Sequence, residues 1–113
     1  MSVTIYHNPC CSKSRAALHL MRERGIEPVV IEYLATPPTA EELTALLRLL
    51  GLSARQLLRW KEARKAGVDE SLPDEVALIA AMTGNPLLIE RPIVVAGNRA
   101  VLGRPPEKVL ELL

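Results

Sequence analysis

The chain has 113 residues and a mass of 12.4 kDa, a size typical of one globular domain, and we expect residues 1–113 to form one. Hydrophobic residues make up 49% of it, enough for a core that needs no disulfide bonds. Fourteen Lys and Arg are balanced by thirteen Asp and Glu, so the net charge of +1 gives no field that would attract nucleic acid or an anionic membrane. The N-terminal residues lack the pattern of a secretory signal and no apolar run is long enough to span a bilayer, so the predicted location is the cytoplasm.

The first third of the chain predicts a βαβ unit. Residues 3–6 form a short apolar run with β-branched side chains, and residues 28–33 form a second one. Between them, residues 12–24 are good helix formers, and Gly25 follows as a stop signal. The segment 7–9, His-Asn-Pro, predicts a turn. Since a helical crossover joins the two strands, they should be parallel.

A helical insertion, about residues 39–85, is predicted between the second and third strands. Thr39 and Glu42 have the spacing of a capping box at the start of its first helix. A stripe of leucines follows on one face of this helix, which should end at Gly51.

Two further helices are predicted inside the insertion. The basic segment 53–67 should place Leu57 and Leu58 inward, while its cations and single tryptophan are more typical of a solvated face than of a nucleic-acid site. The next helix is predicted to start after Ser71, with Pro73 in its first turn. Its inward residues are predicted to be Val76, Ile79 and Ala80.

The last third predicts a hairpin and a terminal helix. Residues 92–96 and 99–102 flank Gly97-Asn98, a two-residue connection typical of a tight antiparallel hairpin. The order of elements is then β-α-β, helices, β-β-α, so the predicted fold class is α/β with a mixed four-stranded sheet. Residues 106–113 predict a helix that packs on this sheet through Val109, Leu110 and Leu113.

The only two cysteines, Cys10 and Cys11, are adjacent. Successive Cα atoms lie about 3.8 Å apart, closer than the usual disulfide range of about 4.4 to 6.8 Å, so the pair is unsuited to a structural bridge. Cys11 lies directly before the first predicted helix, whose N–H groups carry about half a positive charge and favour a thiolate. Cys11 is therefore the predicted reactive thiol, whereas Cys10 is one residue farther from the helix and should point elsewhere.

The same helix start is a predicted site for a small oxyanion, because backbone N–H groups and arginines bind tetrahedral oxyanions well. Three of the ten arginines do not have the pattern of ordinary surface residues. Arg59 ends an apolar turn, Arg91 precedes a proline and a buried strand, and Arg104 follows a glycine at the end of the next strand. The cysteines and histidines lack the spacing of zinc ligands, so no metal site is expected.

Two segments carry a resemblance to a known family. YHNPCCSKSR, at 6–15, and NPLLIERPIVVAGNRAVLGRPPEKVLELL, at 85–113, resemble the glutaredoxin-coupled arsenate reductase family, most closely its bacterial arsenate-reductase-like branch. The resemblance covers essentially the whole chain. It implies a thioredoxin-like fold with a helical insertion, and a cis peptide bond between Arg91 and Pro92.

The resemblance also implies roles for single residues. Cys11 would be the nucleophile. The substrate oxyanion would be bound by Arg59, Arg91 and Arg104. Three residues would tune the thiol. His7 would act through its charge or a hydrogen bond, Ser14 through a hydrogen bond to the thiolate, and Arg15 by orienting the loop. From the residues alone, His7 is equally well interpreted as a solvated loop histidine.

The implied activity is the reduction of arsenate to arsenite by a monomeric enzyme without a bound cofactor. Glutathione would be the co-substrate and glutaredoxin the protein partner. Two alternatives stay open. One is a glutathione-dependent thiol oxidoreductase that acts on another oxyanion or on a mixed disulfide. The other is an Spx-like redox regulator that binds RNA polymerase; it would need a second cysteine at the position of Ser14.

Overall fold

Four strands form one mixed sheet in the unit made of residues 1–36 and 91–113. β1 (Val3–His7) is parallel to β2 (Val29–Glu32) on one side and antiparallel to β3 (Ile93–Ala96) on the other. β4 (Arg99–Leu102) pairs antiparallel with β3 and forms the second edge. The predicted mixed four-stranded sheet is confirmed, and its order, β2-β1-β3-β4, is that of a thioredoxin-like fold.

One face of this sheet is covered by two helical elements. The computed structural model describes residues 2–71 and 74–113, and in it α1 (Ser12–Glu23) packs beside a 3₁₀ helix (Pro106–Leu112). Gly25, with φ of 78°, adopts the left-handed conformation after α1 that a side chain would disfavour. The core here is formed by Val3, Ile5, Ala17, Leu18, Met21, Val94, Ala96, Val109 and Leu112.

The terminal element differs from the prediction in type and in one core residue. A 3₁₀ helix has three residues per turn, so side chains three positions apart share a face. Val109 and Leu112 are accordingly buried, whereas Leu113, predicted to pack inward, is 42% exposed. Leu110 is partly buried and packs against the core as expected.

The second unit, residues 37–90, contains four α-helices and a short 3₁₀ helix within the described residues. They are α2 (Ala40–Leu50), α3 (Ala54–Leu57), α4 (Trp60–Lys65), α5 (Glu75–Gly84) and the 3₁₀ helix Pro86–Leu88. The predicted capping box of α2 is confirmed: Thr39 accepts the N–H of Glu42, and Glu42 accepts the N–H of Thr39. No helix among the described residues is long and apolar enough to cross a membrane.

The single helix predicted over the basic segment is wrong, because the chain is extended between α3 and α4. Leu58 forms an isolated antiparallel bridge with Ile89. The N–H of Arg59 donates to the carbonyl of Leu88 at 2.7 Å, and the N–H of Glu90 donates to that of Leu57 at 3.0 Å. These long-range hydrogen bonds replace the helical ones that would have joined α3 to α4.

The rotation of α5 also differs from the prediction. Asp74 caps the helix, and the carboxylate of Glu75 accepts the N–H of Ala54 at 2.9 and 3.1 Å. The inward face is the one shared by Glu75, Leu78, Ile79 and Met82, and the last three are buried. Val76 is 73% exposed and Ala80 is exposed, so their predicted inward placement is wrong, whereas that of Ile79 is confirmed. Pro73 lies outside the described residues.

Candidate active site

A turn between β1 and α1 places Cys11 at the start of the helix. The N–H of Cys11 donates to the carbonyl of Asn8 at 3.0 Å, and that of Cys10 donates to the Asn8 side-chain oxygen at 3.0 Å. Asn8 and Pro9 occupy the first two positions of this turn, which both residue types favour. Cys11 is the N-cap of α1, with an extended backbone. The predicted strand, turn and helix start are confirmed, although β1 extends by one residue to include His7.

The pKa of the Cys11 thiol lies below its ordinary value. Burial opposes this shift and has the largest single effect, because it disfavours the charged thiolate. The N–H of Ser14, the guanidinium of Arg91 and the N–H of Lys13 together outweigh it. Although the sulfur makes no capping hydrogen bond of ordinary geometry, it therefore faces a positive environment that favours the thiolate.

The two adjacent cysteines have different surroundings. Both thiols are free, but Cys10 is exposed at the tip of the turn, whereas Cys11 is half-buried. Arg91 is among the groups that stabilise the thiolate of Cys11. That Cys11 is the reactive thiol stays a prediction.

The sheet register brings Arg91 and Arg104 to the end of the sheet where Cys11 lies. Tyr6, near the end of β1, pairs with Ile93 at the start of β3, and Ile93 pairs in turn with Leu102 at the end of β4. The loop after β1, the residues before β3 and those after β4 therefore meet at one edge. Consistent with this, Arg104 Nη1 donates to the carbonyl of Arg91 at 3.2 Å.

Arg91 has two donor nitrogens without an acceptor in the described part of the chain. Its Nε and Nη1 atoms are buried and have no hydrogen-bond partner among residues 2–71 and 74–113. An unpaired buried donor is costly, and a guanidinium pairs best with two oxygens of one anion. The peptide bond from Arg91 to Pro92 is cis, as the resemblance implied, and the bond from Arg104 to Pro105, which was not predicted, is also cis.

His7 and Ser14 form a buried pair beside the turn. His7 Nδ1 lies 2.6 Å from Ser14 Oγ, and the Ser14 oxygen also accepts the N–H of Asn8 at 3.1 Å. His7 is only 6% exposed, so its interpretation as a solvated loop histidine is wrong. The hydroxyl of Ser14 is engaged by His7 and Asn8, and it is the backbone N–H of Ser14 that favours the Cys11 thiolate.

Burial lowers the pKa of His7 below its ordinary value of 6.5. The charge of Glu32 opposes this shift, and the charges of Arg22 and Arg15 add to it. The imidazole is therefore neutral at pH 7, and its contact with Ser14 joins two neutral groups. Any effect of His7 on the thiol at this pH passes through hydrogen bonds, not through a positive charge.

Arg15 and Asn8 hold the turn from two sides. Arg15 Nη1 donates to the carbonyl of Pro9 at 2.8 Å, and its role in orienting the loop stays a prediction. Asn8 is 5% exposed and was not among the predicted site residues. The Asn-Pro pair signalled a turn in the sequence, but only the structure shows that Asn8 bonds to Cys10, Cys11 and Ser14.

Arg59 lies in the unit formed by residues 37–90. Its Nε atom is 3.0 Å from Oε1 of Glu90, and these two side chains are 22% and 23% exposed. This ion pair follows directly on the backbone hydrogen bonds that join the end of α3 to the segment before β3. The part of Arg59 in binding an oxyanion stays a prediction.

No metal centre is found among the described residues. Within residues 2–71 and 74–113, no three His, Cys, Asp or Glu side chains come together in a way that could hold a metal ion.

The chain is similar over nearly its whole length to known proteins. Residues 6–112 match the ArsC family. The chain is 54% identical to the uncharacterized protein YfgD of Escherichia coli, over 98% of the chain and 96% of that protein. It is 46% identical to an arsenate reductase of Neisseria meningitidis, over 98% and 97%. It also superposes on the solved structure of an arsenate reductase from Vibrio cholerae with a TM-score of 0.89, at 51% identity over 100% and 98% of the two chains. The chain therefore belongs to the ArsC family.

Proposed function

We propose that this protein reduces arsenate to arsenite through the Cys11 thiolate, with glutathione as co-substrate and glutaredoxin as the partner that regenerates the thiol. One observation carries the proposal. Beside Cys11, the guanidinium of Arg91 has two buried nitrogens without a partner among the described residues. A tetrahedral oxyanion supplies the two acceptors that such a guanidinium needs. The relatives named as arsenate reductases support arsenate as that anion.

In the first step, the Cys11 thiolate attacks arsenic. A sulfur–arsenic bond forms, one arsenic–oxygen bond breaks, and the oxygen leaves as water after protonation. The lowered pKa of Cys11 keeps more of the thiol in its reactive form at neutral pH. Arg91 binds the remaining oxygens, and Arg104 supports it through the Arg91 carbonyl.

In the second step, glutathione attacks the Cys11 sulfur. The new sulfur–sulfur bond takes the place of the sulfur–arsenic bond, whose electron pair stays on arsenic. Arsenic is reduced from the pentavalent to the trivalent state and leaves as arsenite, while the two thiols are oxidised to one mixed disulfide. A glutaredoxin thiol then attacks the glutathione sulfur and releases Cys11 by thiol–disulfide exchange.

The test is an NADPH-linked assay that contains arsenate, glutathione, glutaredoxin and glutathione reductase. We expect arsenate-dependent NADPH consumption by the wild type, its loss in Cys11→Ser, and its survival in the matched control Cys10→Ser. Absence of the signal in the wild type contradicts the arsenate assignment. Loss of activity in Cys10→Ser alone contradicts the choice of nucleophile.

The same assay separates the alternative activities. Consumption of NADPH with a glutathione mixed disulfide or another oxyanion, but not with arsenate, indicates a thiol oxidoreductase with a different substrate. The regulator alternative needs a CxxC pair, and the position of its second cysteine is held by Ser14, whose hydroxyl contacts His7. Co-purification with RNA polymerase is the result that would favour it.

A further inference from the structure

Asn8 is the hydrogen-bonding centre of the turn that carries both cysteines. Its backbone N–H donates to Ser14 Oγ at 3.1 Å, its carbonyl accepts the N–H of Cys11 at 3.0 Å, and its side-chain oxygen accepts the N–H of Cys10 at 3.0 Å. The residue is 5% exposed. The three bonds therefore connect Asn8 to both cysteines of the loop and to Ser14 in α1.

These bonds give the two cysteines different positions. The bond from Cys11 to the Asn8 carbonyl closes a four-residue turn, and Cys10 occupies its third position, at the tip. The hydrogen bond from the N–H of Cys10 to the side-chain oxygen of Asn8 is a second constraint on the same turn. As a result, the Cys10 side chain is exposed, while Cys11 becomes the N-cap of α1 beside Arg91.

We propose that Asn8 is the positioning residue that selects Cys11 over its neighbour Cys10 as the reactive thiol. The inference rests on the proposed function only in taking Cys11 as the nucleophile. Without the Asn8 side chain, the N–H of Cys10 loses its acceptor, and the turn is free to place the Cys11 sulfur away from Arg91 and from the helix N–H groups. The thiolate of Cys11 then loses its stabilisation, and the two thiols become more alike.

The test measures the alkylation rate of each thiol separately. Iodoacetamide is the probe, Cys10→Ser isolates Cys11, and Cys11→Ser isolates Cys10, each with and without Asn8→Ala, over a range of pH. In the wild-type turn, Cys11 should react faster than Cys10 below pH 7. Asn8→Ala should lower the ratio of the two rates by about threefold to tenfold, because a rise of one pKa unit removes about nine-tenths of the thiolate at low pH.

Two further variants separate positioning from stability. Asn8→Ser keeps an oxygen that can accept the same N–H, so it should restore part of the selectivity. Leu112→Ala lowers stability from the core without touching the turn, and it should leave the ratio of rates unchanged. Unchanged rates and an unchanged pH profile for Cys11 in a folded Asn8→Ala protein would overturn the proposal.

Amide hydrogen exchange on the wild type gives a measurement that does not depend on the folding of any variant. The N–H groups of Cys10 and Cys11 should both exchange more slowly than in an unfolded chain. An unprotected Cys10 N–H overturns the role of Asn8. Equal alkylation of the two cysteines in the wild type contradicts the proposed nucleophile instead, so the two failures are distinguishable.

Discussion

The imidazole Nδ1 of His7 lies 2.6 Å from the hydroxyl oxygen of Ser14, and both side chains are buried. The contact joins the end of β1 to the first turn of α1, and the chain between them is the turn that carries Cys11. Ser14 also accepts the N–H of Asn8 within that turn. One hydroxyl therefore ties together the strand, the turn and the helix that position the candidate nucleophile.

Removing this hydroxyl should destabilise the protein. In Ser14→Ala, the N–H of Asn8 and the Nδ1 atom of His7 both lose a buried partner, and we expect the free energy of unfolding to fall by about 1 to 3 kcal/mol. Urea denaturation measures the change. The matched control, Ser12→Ala, alters an exposed residue of the same helix and should stay within about 0.5 kcal/mol of the wild type. Equal stability of the two variants contradicts the role given to the Ser14 hydroxyl.

The buried imidazole predicts a pH dependence of stability. Because burial lowers the pKa of His7 below 6.5, the unfolded chain takes up this proton at a higher pH than the folded chain does. The contribution of His7 to stability is therefore complete above pH 6.5 and is lost as the pH falls towards the lowered pKa.

Urea denaturation between pH 7.5 and pH 5 checks this dependence. In His7→Gln, the free energy of unfolding should decrease less over this pH range than in the wild type. His19→Gln should not, because His19 is exposed and its surface contact with Glu23 contributes little. If His7→Gln keeps the whole wild-type slope, other groups cause it.

Loss of the Arg91 guanidinium should raise the pKa of Cys11. Arg91 lowers that pKa through a hydrogen bond and through its charge, so Arg91→Met removes both while keeping an unbranched side chain. We expect the pH profile of Cys11 alkylation to move to higher pH, with a rate at pH 6 that is about threefold to tenfold lower. Arg99→Met is the control, because Arg99 is exposed and donates to the carbonyl of Glu111. If the two variants have the same pH profile of alkylation, Arg91 does not lower the pKa of Cys11.

Gly103 should not tolerate a side chain. A Cβ at this position would lie 2.8 Å from Cγ of Pro92 and 3.2 Å from Cγ1 of Val109, so Gly103→Ala forces Pro92 to move. We expect a loss of about 1 to 3 kcal/mol of unfolding free energy, together with lower reactivity of Cys11, since Arg91 precedes Pro92.

The matched control for Gly103 is Gly84→Ala at the end of α5. Nothing lies within 4 Å of a Cβ there, and the backbone conformation is an ordinary one. This change should raise the free energy of unfolding by about 0.4 to 1 kcal/mol, because alanine restricts the unfolded chain. Thermal or urea denaturation measures the expected loss of stability in Gly103→Ala and the expected gain in Gly84→Ala. A Gly103→Ala protein with wild-type stability and normal Cys11 reactivity would contradict the prediction.

The local elements were predictable because their signals lie within a few residues of one another. The capping box of Thr39 and Glu42 involves residues three positions apart, and both partners can be seen in the sequence. The same holds for the Asn-Pro turn and for the cysteine directly before a run of helix formers. Their consequence, a thiolate favoured by helix N–H groups, followed from position alone.

Other features depended on partners far away in the chain. The pattern of the basic segment predicts one helix, but an extended stretch at the bridge between Leu58 and Ile89 interrupts it. The observed rotation of α5 brings Glu75 to the N–H of Ala54, 21 residues away in the chain. In the first place, long-range hydrogen bonds interrupt a predicted helix; in the second, contacts distant in sequence decide which face of a helix is buried.

The sequence by itself determined the order of the four strands along the chain and their mixed sheet, and it made Cys11 the predicted nucleophile, because these inferences depend on propensity, periodicity and short-range turn chemistry. Only the tertiary structure decided that Arg91 and Arg104 reach the end of the sheet where Cys11 lies, since strand register pairs Tyr6 with Ile93 and Ile93 with Leu102. It also decided that His7 is buried and neutral, because the environment of a side chain sets its charge. Register and burial are properties of the packed chain, so no local pattern of residues could reveal them.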